Sequence, residues 1–152
     1  MYSEKKIKRY FKLAKNASTF SDYPKINIGA IIVYKNQIIA IGYNICKSNP
    51  TQMKYNIYRN MNGRKYDVRS RKNFLHAEMK CLVETRDLDI DWSKASIFVY
   101  REHCDGTKAL SRPCPSCYQA IRERGIKNIY YTIDNKHYGY EKISWHIRIK
   151  VI

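Results

Sequence analysis

The sequence predicts an α/β domain in which a mixed β-sheet carries helices on its faces. Segments with helical periodicity and segments of apolar, β-branched residues follow one another in the order α, β, β, α, β, α, β, β. The chain has 152 residues, of which 44% are hydrophobic and 28% charged, and it contains no repeat or low-complexity tract. These properties suit one globular domain spanning residues 1–152.

The first half begins with an amphipathic helix and a β-hairpin. Residues 4–17 place apolar side chains at helical spacing with lysines between them, which predicts a surface helix. Residues 26–34 and 37–43 are apolar and β-branched, and the short polar turn between them predicts a hairpin. Gly29 and Gly42 lie inside these strands, where glycine usually marks the close approach of another backbone.

The second half alternates helices and strands. Helical spacing of apolar residues predicts helices over residues 74–86 and 115–124. Residues 96–101 form a continuous apolar run that is typical of a buried strand. Residues 126–133 and 145–151 predict two more strands, which would complete the sheet.

Residues 45–72, between the hairpin and the second helix, are polar, basic and poorly periodic. Their cations are interleaved with Tyr55, Tyr58 and Tyr66. Long segments of this kind in compact domains are usually functional or disordered. We therefore expect a basic insertion loop, with room for a helical turn.

Net charge is the most unusual property of the chain. The 29 Lys and Arg residues against 13 Asp and Glu residues give +16, which favours a polyanionic partner, nucleic acid before an anionic membrane surface. Abundant Lys, Asn, Ile and Tyr would also follow from an AT-rich genome, so the charge indicates nucleic-acid binding by composition alone. A membrane partner is not expected, because no apolar run approaches the roughly 20 residues of a transmembrane helix.

The five cysteines and the basic N-terminus, which lacks a continuous apolar segment, indicate reduced thiols and a cytoplasmic location. Cys114 and Cys117 have the spacing of a metal-binding pair or a redox pair. Pro115 suits the first position of a helix. Cys114 would then cap that helix and Cys117 would lie in its first turn, where the helix dipole favours thiolates.

His76-Ala77-Glu78 opens the other helix. Residues two apart on a helix point roughly 200° apart, so His76 and Glu78 share a site only if the helix end faces it. One His and two thiolates make three zinc ligands and leave a fourth position to water, as in catalytic sites. A single His beside Ala and Glu is, by itself, typical of a surface or core residue. A single Cys-x-x-Cys pair is typical of a structural zinc site or a redox pair. The two motifs together favour a catalytic zinc site.

His76-Ala77-Glu78 and Pro113-Cys114-Pro115-Ser116-Cys117 together resemble the H-x-E…P-C-x-x-C signature of the cytidine deaminase superfamily. The hairpin at residues 28–33 and 38–44 looks like the opening hairpin of the CMP/dCMP-type deaminases and of their tRNA adenosine deaminase relatives. The resemblance covers most of the chain. It implies a three-layer α/β/α cytidine-deaminase-like fold with a mixed sheet of about five strands. It also implies self-association, since relatives are often dimers or larger.

The resemblance assigns the chemistry residue by residue. His76, Cys114 and Cys117 match the ligands of one catalytic Zn²⁺ ion, whose fourth ligand is water or hydroxide. Glu78 matches the carboxylate that takes a proton from this water, protonates the ring nitrogen and delivers a proton to the leaving amino group. The implied reaction is hydrolytic deamination of cytosine to uracil.

Five further residues are candidate substrate contacts. By resemblance, the backbone N–H of Ala77 would hold the carbonyl oxygen of the base, and Asn44 matches an Asn that binds the sugar in many relatives. Arg112, just before the Pro-Cys motif, is a candidate clamp for a phosphate. Tyr130 and Tyr131 fall near where polynucleotide-editing relatives keep aromatic residues beside the base, although tyrosines here are also typical of a core.

Two features depart from the family pattern. Residues 134–144 are few for a parallel crossover, which needs a dozen or more residues. An antiparallel hairpin between the last two strands is therefore an alternative, as in free-nucleoside deaminases. The insertion contains Cys46 and no His, so the accessory zinc site of some dCMP deaminases is not expected.

Three functions remain open at this point. The favoured one is zinc-dependent deamination of a cytosine nucleotide such as dCMP, whose phosphate needs one or two cationic contacts. The alternative is a polynucleotide deaminase acting on cytosine or adenine in single-stranded DNA, RNA or tRNA, with the insertion as its basic groove. The third is a catalytically silent nucleic-acid-binding module, against which the intact motifs argue.

Overall fold

The computed structural model describes residues 2–62 and 72–143, which form seven strands, four α-helices and two short 3₁₀ helices. The strands are β1 (Asn27–Tyr34), β2 (Gln37–Tyr43), β3 (Ile45–Ser48), β4 (Phe74–Leu75), β5 (Ala95–Glu102), β6 (Asn128–Thr132) and β7 (Tyr138–Lys142). The α-helices are α1 (Glu4–Ser18), α2 (Pro50–Asn56), α3 (Ala77–Glu84) and α4 (Pro115–Arg124), and the 3₁₀ helices cover Ile57–Asn62 and Trp92–Lys94. Among these described helices, none is both long and apolar enough to cross a membrane.

Five strands form the central sheet in the order β2-β1-β5-β6-β7. β5 and β6 run parallel, whereas the other neighbouring strands are antiparallel. The parallel pair is connected through α4, as a parallel connection requires a crossover. This mixed five-stranded sheet with flanking helices confirms the predicted fold class.

The helices bury the two faces of the sheet. On one face, α1 presents an apolar stripe that includes Ile7, Tyr10 and Phe11, and it packs against Phe98 and its neighbours. Gly29 permits this contact, because a Cβ there would lie 1.9 Å from the Ala14 carbonyl oxygen. The opposite face is covered by α3 and α4 around a second apolar cluster. Because successive side chains of a strand point to opposite faces of the sheet, neighbouring residues of one strand belong to different apolar clusters.

The last described strand lies in the segment predicted as a connection. β7 pairs antiparallel with β6, so the hairpin alternative is confirmed, but its strand is Tyr138–Lys142. The predicted strand at residues 145–151 lies outside the described residues. The carboxylate of Asp134 accepts hydrogen bonds from the backbone N–H groups of Lys136 and His137, which closes a tight turn and makes a helical crossover unnecessary.

The described part of the insertion contains a strand and helical turns where the sequence predicts a loop. β3 pairs with β4, and α2 with the following 3₁₀ turn occupies residues 50–62. Asn49 caps α2 by accepting hydrogen bonds from the backbone of Thr51 and Gln52, and Pro50 begins the helix. The sequence predicts that α3 begins at residue 74, but Phe74 and Leu75 form β4, so the helix begins at Ala77. Residues 63–71 lie outside the described part.

Candidate metal centre

The N-termini of α3 and α4 meet on one face of the sheet and carry the candidate metal ligands. His76 is the N-cap of α3, with φ −79° and ψ 158°, and Cys114 is the N-cap of α4, with φ −65° and ψ 165°. Neither side chain caps its own helix, so the imidazole and the thiol are available to a ligand. Cys117 lies in the first turn of α4 and is fully buried.

The three ligand atoms converge at spacings that suit zinc. His76 Nδ1 lies 3.5 Å from Cys114 Sγ and 3.4 Å from Cys117 Sγ, and all three atoms lie within 4.8 Å of one another. Tetrahedral zinc, with bonds of about 2.0–2.1 Å to nitrogen and about 2.3 Å to sulfur, requires N···S separations of about 3.5 Å. The observed distances therefore fit one tetrahedral ion with a fourth position left open.

Hydrogen bonds among these three groups shift their pKa values in different directions. The pKa of Cys114 falls to about 3, because its hydrogen bonds with Cys117 and His76 outweigh the effect of burial. The hydrogen bond to Cys114, together with burial, raises the pKa of the Cys117 thiol well above its ordinary value. Burial opposes the charged form of His76, but the interaction with Cys114 raises the pKa of its imidazole. A metal ion binding here displaces the remaining protons.

Glu78 lies in the first turn of α3 and is 4% exposed. Burial raises the pKa of its carboxyl group to about 7, and the group also interacts with His76, Cys114 and Cys117. A general acid–base works best when its pKa lies near the operating pH. Glu78 is therefore suited to carry protons beside the metal group.

α3 approaches the sheet so closely that glycine is required on β2. A Cβ at Gly42 would lie 2.1 Å from the Ala77 carbonyl oxygen and 2.7 Å from Cys81 Sγ. Ala77 is fully buried and is the first residue of α3. Its backbone N–H therefore has no acceptor within the helix, which suits it to bind a substrate oxygen.

A buried amide network supports the metal group and was not recognised from the sequence. Gln52 is fully buried, and its Oε1 accepts a hydrogen bond from the His76 backbone N–H at 3.0 Å. Gln52 Nε2 donates to Asn56 Oδ1 at 2.9 Å, and Asn56 Nδ2 donates to Asn73 Oδ1 at 2.8 Å. The sequence does carry one signal for this network: Asn49-Pro50 is typical of a helix start. On a helix that begins there, Gln52 and Asn56 lie one turn apart on the same side.

The family model for the cytidine and deoxycytidylate deaminase zinc-binding region matches residues 4–133. The chain belongs to this deaminase family. Membership supports a hydrolytic enzyme, and the His76, Cys114 and Cys117 group fits the zinc-binding region after which the family is named.

Individual relatives of this chain are distant in sequence. It is 26% identical over 124 residues to an uncharacterized deaminase in the luxG 3′ region of Aliivibrio fischeri, covering 81% of this chain and 69% of that protein. The apo dCMP deaminase of cyanophage S-TIM5, also solved in complex with dCMP and dUMP, matches with a TM-score of 0.60 and 23% identity over 87% of this chain and 86% of that one. Cytidine deaminase from Burkholderia pseudomallei matches with a TM-score of 0.59 and 16% identity over 89% and 91% of the two chains. These likenesses support the fold.

Two predicted substrate contacts already have protein partners. The Asn44 side chain accepts a hydrogen bond from the Ile28 N–H and donates one to the Ile26 carbonyl, both at 2.9 Å. Arg112 makes a double hydrogen bond to Glu141, at 2.6 and 2.9 Å. A substrate could therefore accept a hydrogen bond from the remaining N–H of the Asn44 amide. The charge of the Arg112 guanidinium is partly neutralised by Glu141. Their substrate roles stay predictions.

The two adjacent tyrosines, Tyr130 and Tyr131, lie on opposite faces of the sheet. Tyr130 is 4% exposed and stacks on Phe98 beneath α1, with ring centroids 4.4 Å apart. Tyr131 packs on the cluster beneath α3 and α4, and burial together with Glu141 raises the pKa of its hydroxyl. The structure thus groups Tyr131, but not Tyr130, on the face that carries the metal ligands.

Proposed function

We propose that this protein is a zinc-dependent deaminase of the cytosine base in a pyrimidine nucleotide, with dCMP as the preferred substrate. The observation that carries the proposal is the convergence of three zinc donors beside the buried carboxyl group of Glu78. Three protein ligands leave one position for water, the arrangement of catalytic zinc. The cyanophage relative, solved with dCMP and dUMP, supports the choice of substrate.

The protein's own residues would handle protons and orientation. Zinc, when bound, supplies Lewis acidity that lowers the pKa of water toward about 7. Glu78 accepts a proton from the attacking water, donates it to the ring nitrogen N3, and relays the second water proton to the amino group at C4. The oxygen of water becomes the new C4 carbonyl and the amino group leaves as ammonia. Ala77 holds the O2 atom of the base through its backbone N–H.

A nucleotide also requires a phosphate contact, for which the described insertion supplies a cation. Arg59 lies in the 3₁₀ turn after α2, and its charge acts against the raised pKa of His76. A guanidinium matches the oxygens of a phosphate and remains charged at all physiological pH values. Arg59 is therefore a second candidate phosphate contact beside Arg112, whose guanidinium pairs with Glu141.

A polynucleotide substrate is the second candidate function, and the net charge of +16 favours it. The base chemistry would be the same, acting on cytosine or adenine in single-stranded DNA or RNA. In either case we propose a cytoplasmic, self-associating enzyme built from one deaminase domain. Size-exclusion chromatography with light scattering measures the self-association.

Deamination assays on matched substrates test these proposals. Zinc-loaded protein is incubated with dCMP, CMP, deoxycytidine, a single-stranded DNA oligomer and an RNA hairpin at equal cytosine concentration. Glu78→Ala is the blank, and Glu84→Ala, at an exposed position of the same helix, is the matched control. We expect turnover of dCMP that Glu78→Ala abolishes while zinc content is retained. Turnover of the oligomers would instead select the second candidate, and turnover by Glu78→Ala would remove Glu78 from the mechanism.

A further inference from the structure

A basic groove lies on the face of the sheet that α1 covers, away from the metal group. It runs between α1 and the β6–β7 turn and has a volume of ≈ 410 Å³. Its floor includes Phe11, Tyr100 and Tyr138. The sheet separates it from the metal ligands, because α1 packs on one apolar cluster while Ala77 and Cys117 belong to the other. The proposed deamination reaction therefore makes no use of this surface.

Five exposed lysines line the groove from three separate parts of the chain. Lys8, Lys12 and Lys15 lie on one side of α1, Lys108 follows β5, and Lys136 lies in the β6–β7 turn. At 1.5 Å per residue, the three α1 lysines span about 10 Å. About three stacked nucleotides of one strand, spaced about 3.4 Å apart, cover the same length.

Carboxylates do not neutralise these lysines. None of the five has an ion pair with another described residue. The two acidic residues of the groove contact groups other than the lysine ammonium groups: Glu4 accepts a hydrogen bond from the Tyr138 hydroxyl, and Asp134 binds His137 and the backbone of its own turn. The groove therefore presents a net excess of positive charge to any ligand.

The wall opposite α1 is held in place by hydrogen bonds. Asn135 Oδ1 accepts a hydrogen bond from the Lys108 backbone N–H at 2.9 Å, which ties the loop after β5 to the β6–β7 turn. Asp134 Oδ1 fixes the Lys136 backbone through a 2.8 Å hydrogen bond. Because both lysines are anchored at the backbone, binding a ligand orders only their side chains, which reduces its entropic cost.

An aromatic ring completes the groove. Tyr138 is 38% exposed, and its ring centroid lies 5.7 Å from that of Phe11. Single-stranded nucleic acids are bound by grooves that combine cations for the phosphates with aromatic rings on which bases stack. We infer that this groove binds single-stranded nucleic acid, at a site separate from the metal centre.

Fluorescence anisotropy with a labelled oligothymidine of about 12 nucleotides tests the inference, since single-strand sites span about 4–16 nucleotides. The oligomer contains no cytosine, so a failure of the proposed deamination would not affect the result. The groove variant replaces three lysines with glutamine: Lys8→Gln, Lys12→Gln and Lys136→Gln. The control removes the same charge from the insertion: Lys47→Gln, Lys54→Gln and Lys72→Gln.

We expect the zinc-loaded groove variant to bind at least tenfold more weakly than the control variant. The slope of log K against log salt should also flatten by about 2, because each phosphate contact contributes about 0.7. Equal losses in both variants would show that overall charge or the insertion drives binding, and would overturn the inference. Binding of anionic vesicles without binding of the oligomer would overturn it as well.

Tyr138 separates stacking from simple charge attraction. Tyr138→Phe keeps the ring and removes the hydroxyl that binds Glu4, whereas Tyr138→Leu removes the ring. We expect oligothymidine binding within twofold of wild type for Tyr138→Phe and at least fivefold weaker for Tyr138→Leu. Equal binding by both variants, or tighter binding of a duplex of the same length, would contradict a single-strand site.

Discussion

Replacing Gln52 with leucine tests whether the insertion positions the metal ligand. The change removes the acceptor of the His76 backbone N–H, at 3.0 Å, and the donor to Asn56 Oδ1, at 2.9 Å. Each buried polar group left unpaired costs about 1–3 kcal/mol. Since leucine retains much of the buried volume, we expect Gln52→Leu to lower the free energy of unfolding by about 2–4 kcal/mol. A less firmly held His76 should also weaken zinc binding by about tenfold or more.

Two measurements and one matched control make this prediction refutable. Urea unfolding gives the free energy of unfolding, and competition with a chelator gives the zinc affinity of the folded protein. Gln119→Leu is the control, because Gln119 is only partly buried and donates a solvent-exposed hydrogen bond to Glu123 on α4; substitutions near the surface usually change stability by less than about 0.5 kcal/mol. If Gln52→Leu matched Gln119→Leu in both measurements, the amide network would have no role in positioning His76.

Three further predictions concern the metal ligands, the packing of α3 and acid stability. Cys114→Ala should lose zinc, as measured by metal analysis, because it leaves two protein ligands; unchanged zinc content would reject the ligand assignment. Gly42→Ala should destabilise the fold by about 1–3 kcal/mol in urea unfolding, since its Cβ would lie 2.1 Å from the Ala77 carbonyl oxygen; wild-type stability would contradict this packing. The hydrogen bond to Arg112 lowers the pKa of Glu141, so Glu141→Gln should cost about 0.5 kcal/mol above pH 4.5. That cost should disappear as the pH falls through the lowered pKa, and a cost that persisted in acid would exclude the ion pair as its cause.

The metal ligands were predictable because their geometry is local. Pro115 predicts the start of α4, and a helix start places Cys114 and Cys117 in one turn. Likewise, His76 and Glu78 can share a site only at a helix end, which is where the structure has them. That these two helix starts meet at one site was predicted only from the family resemblance, because the family motif joins residues that are distant in the chain.

The surroundings of the site were less predictable because they depend on contacts between distant segments. Gln52 resembles any polar residue of a basic insertion, and its burial follows from β3–β4 pairing and the packing of α2 beside α4. β7 was missed because the hydrophobicity of its residues, Tyr138–Lys142, alternates only weakly. Its strand conformation is stabilised by ladder bonds to β6, which no local pattern encodes.

The sequence by itself determined the α/β class, the first hairpin and the identity of the candidate metal ligands, because periodicity, capping residues and motif spacing act over a few residues. Tertiary structure alone decided which face of the sheet each side chain joins. Pairing of Phe98 with Tyr130 and of Val99 with Tyr131 sends the two tyrosines to opposite cores. A shift of one residue in that pairing would exchange them, since side chains alternate along a strand. The same packing separates the metal centre from the basic groove beneath α1.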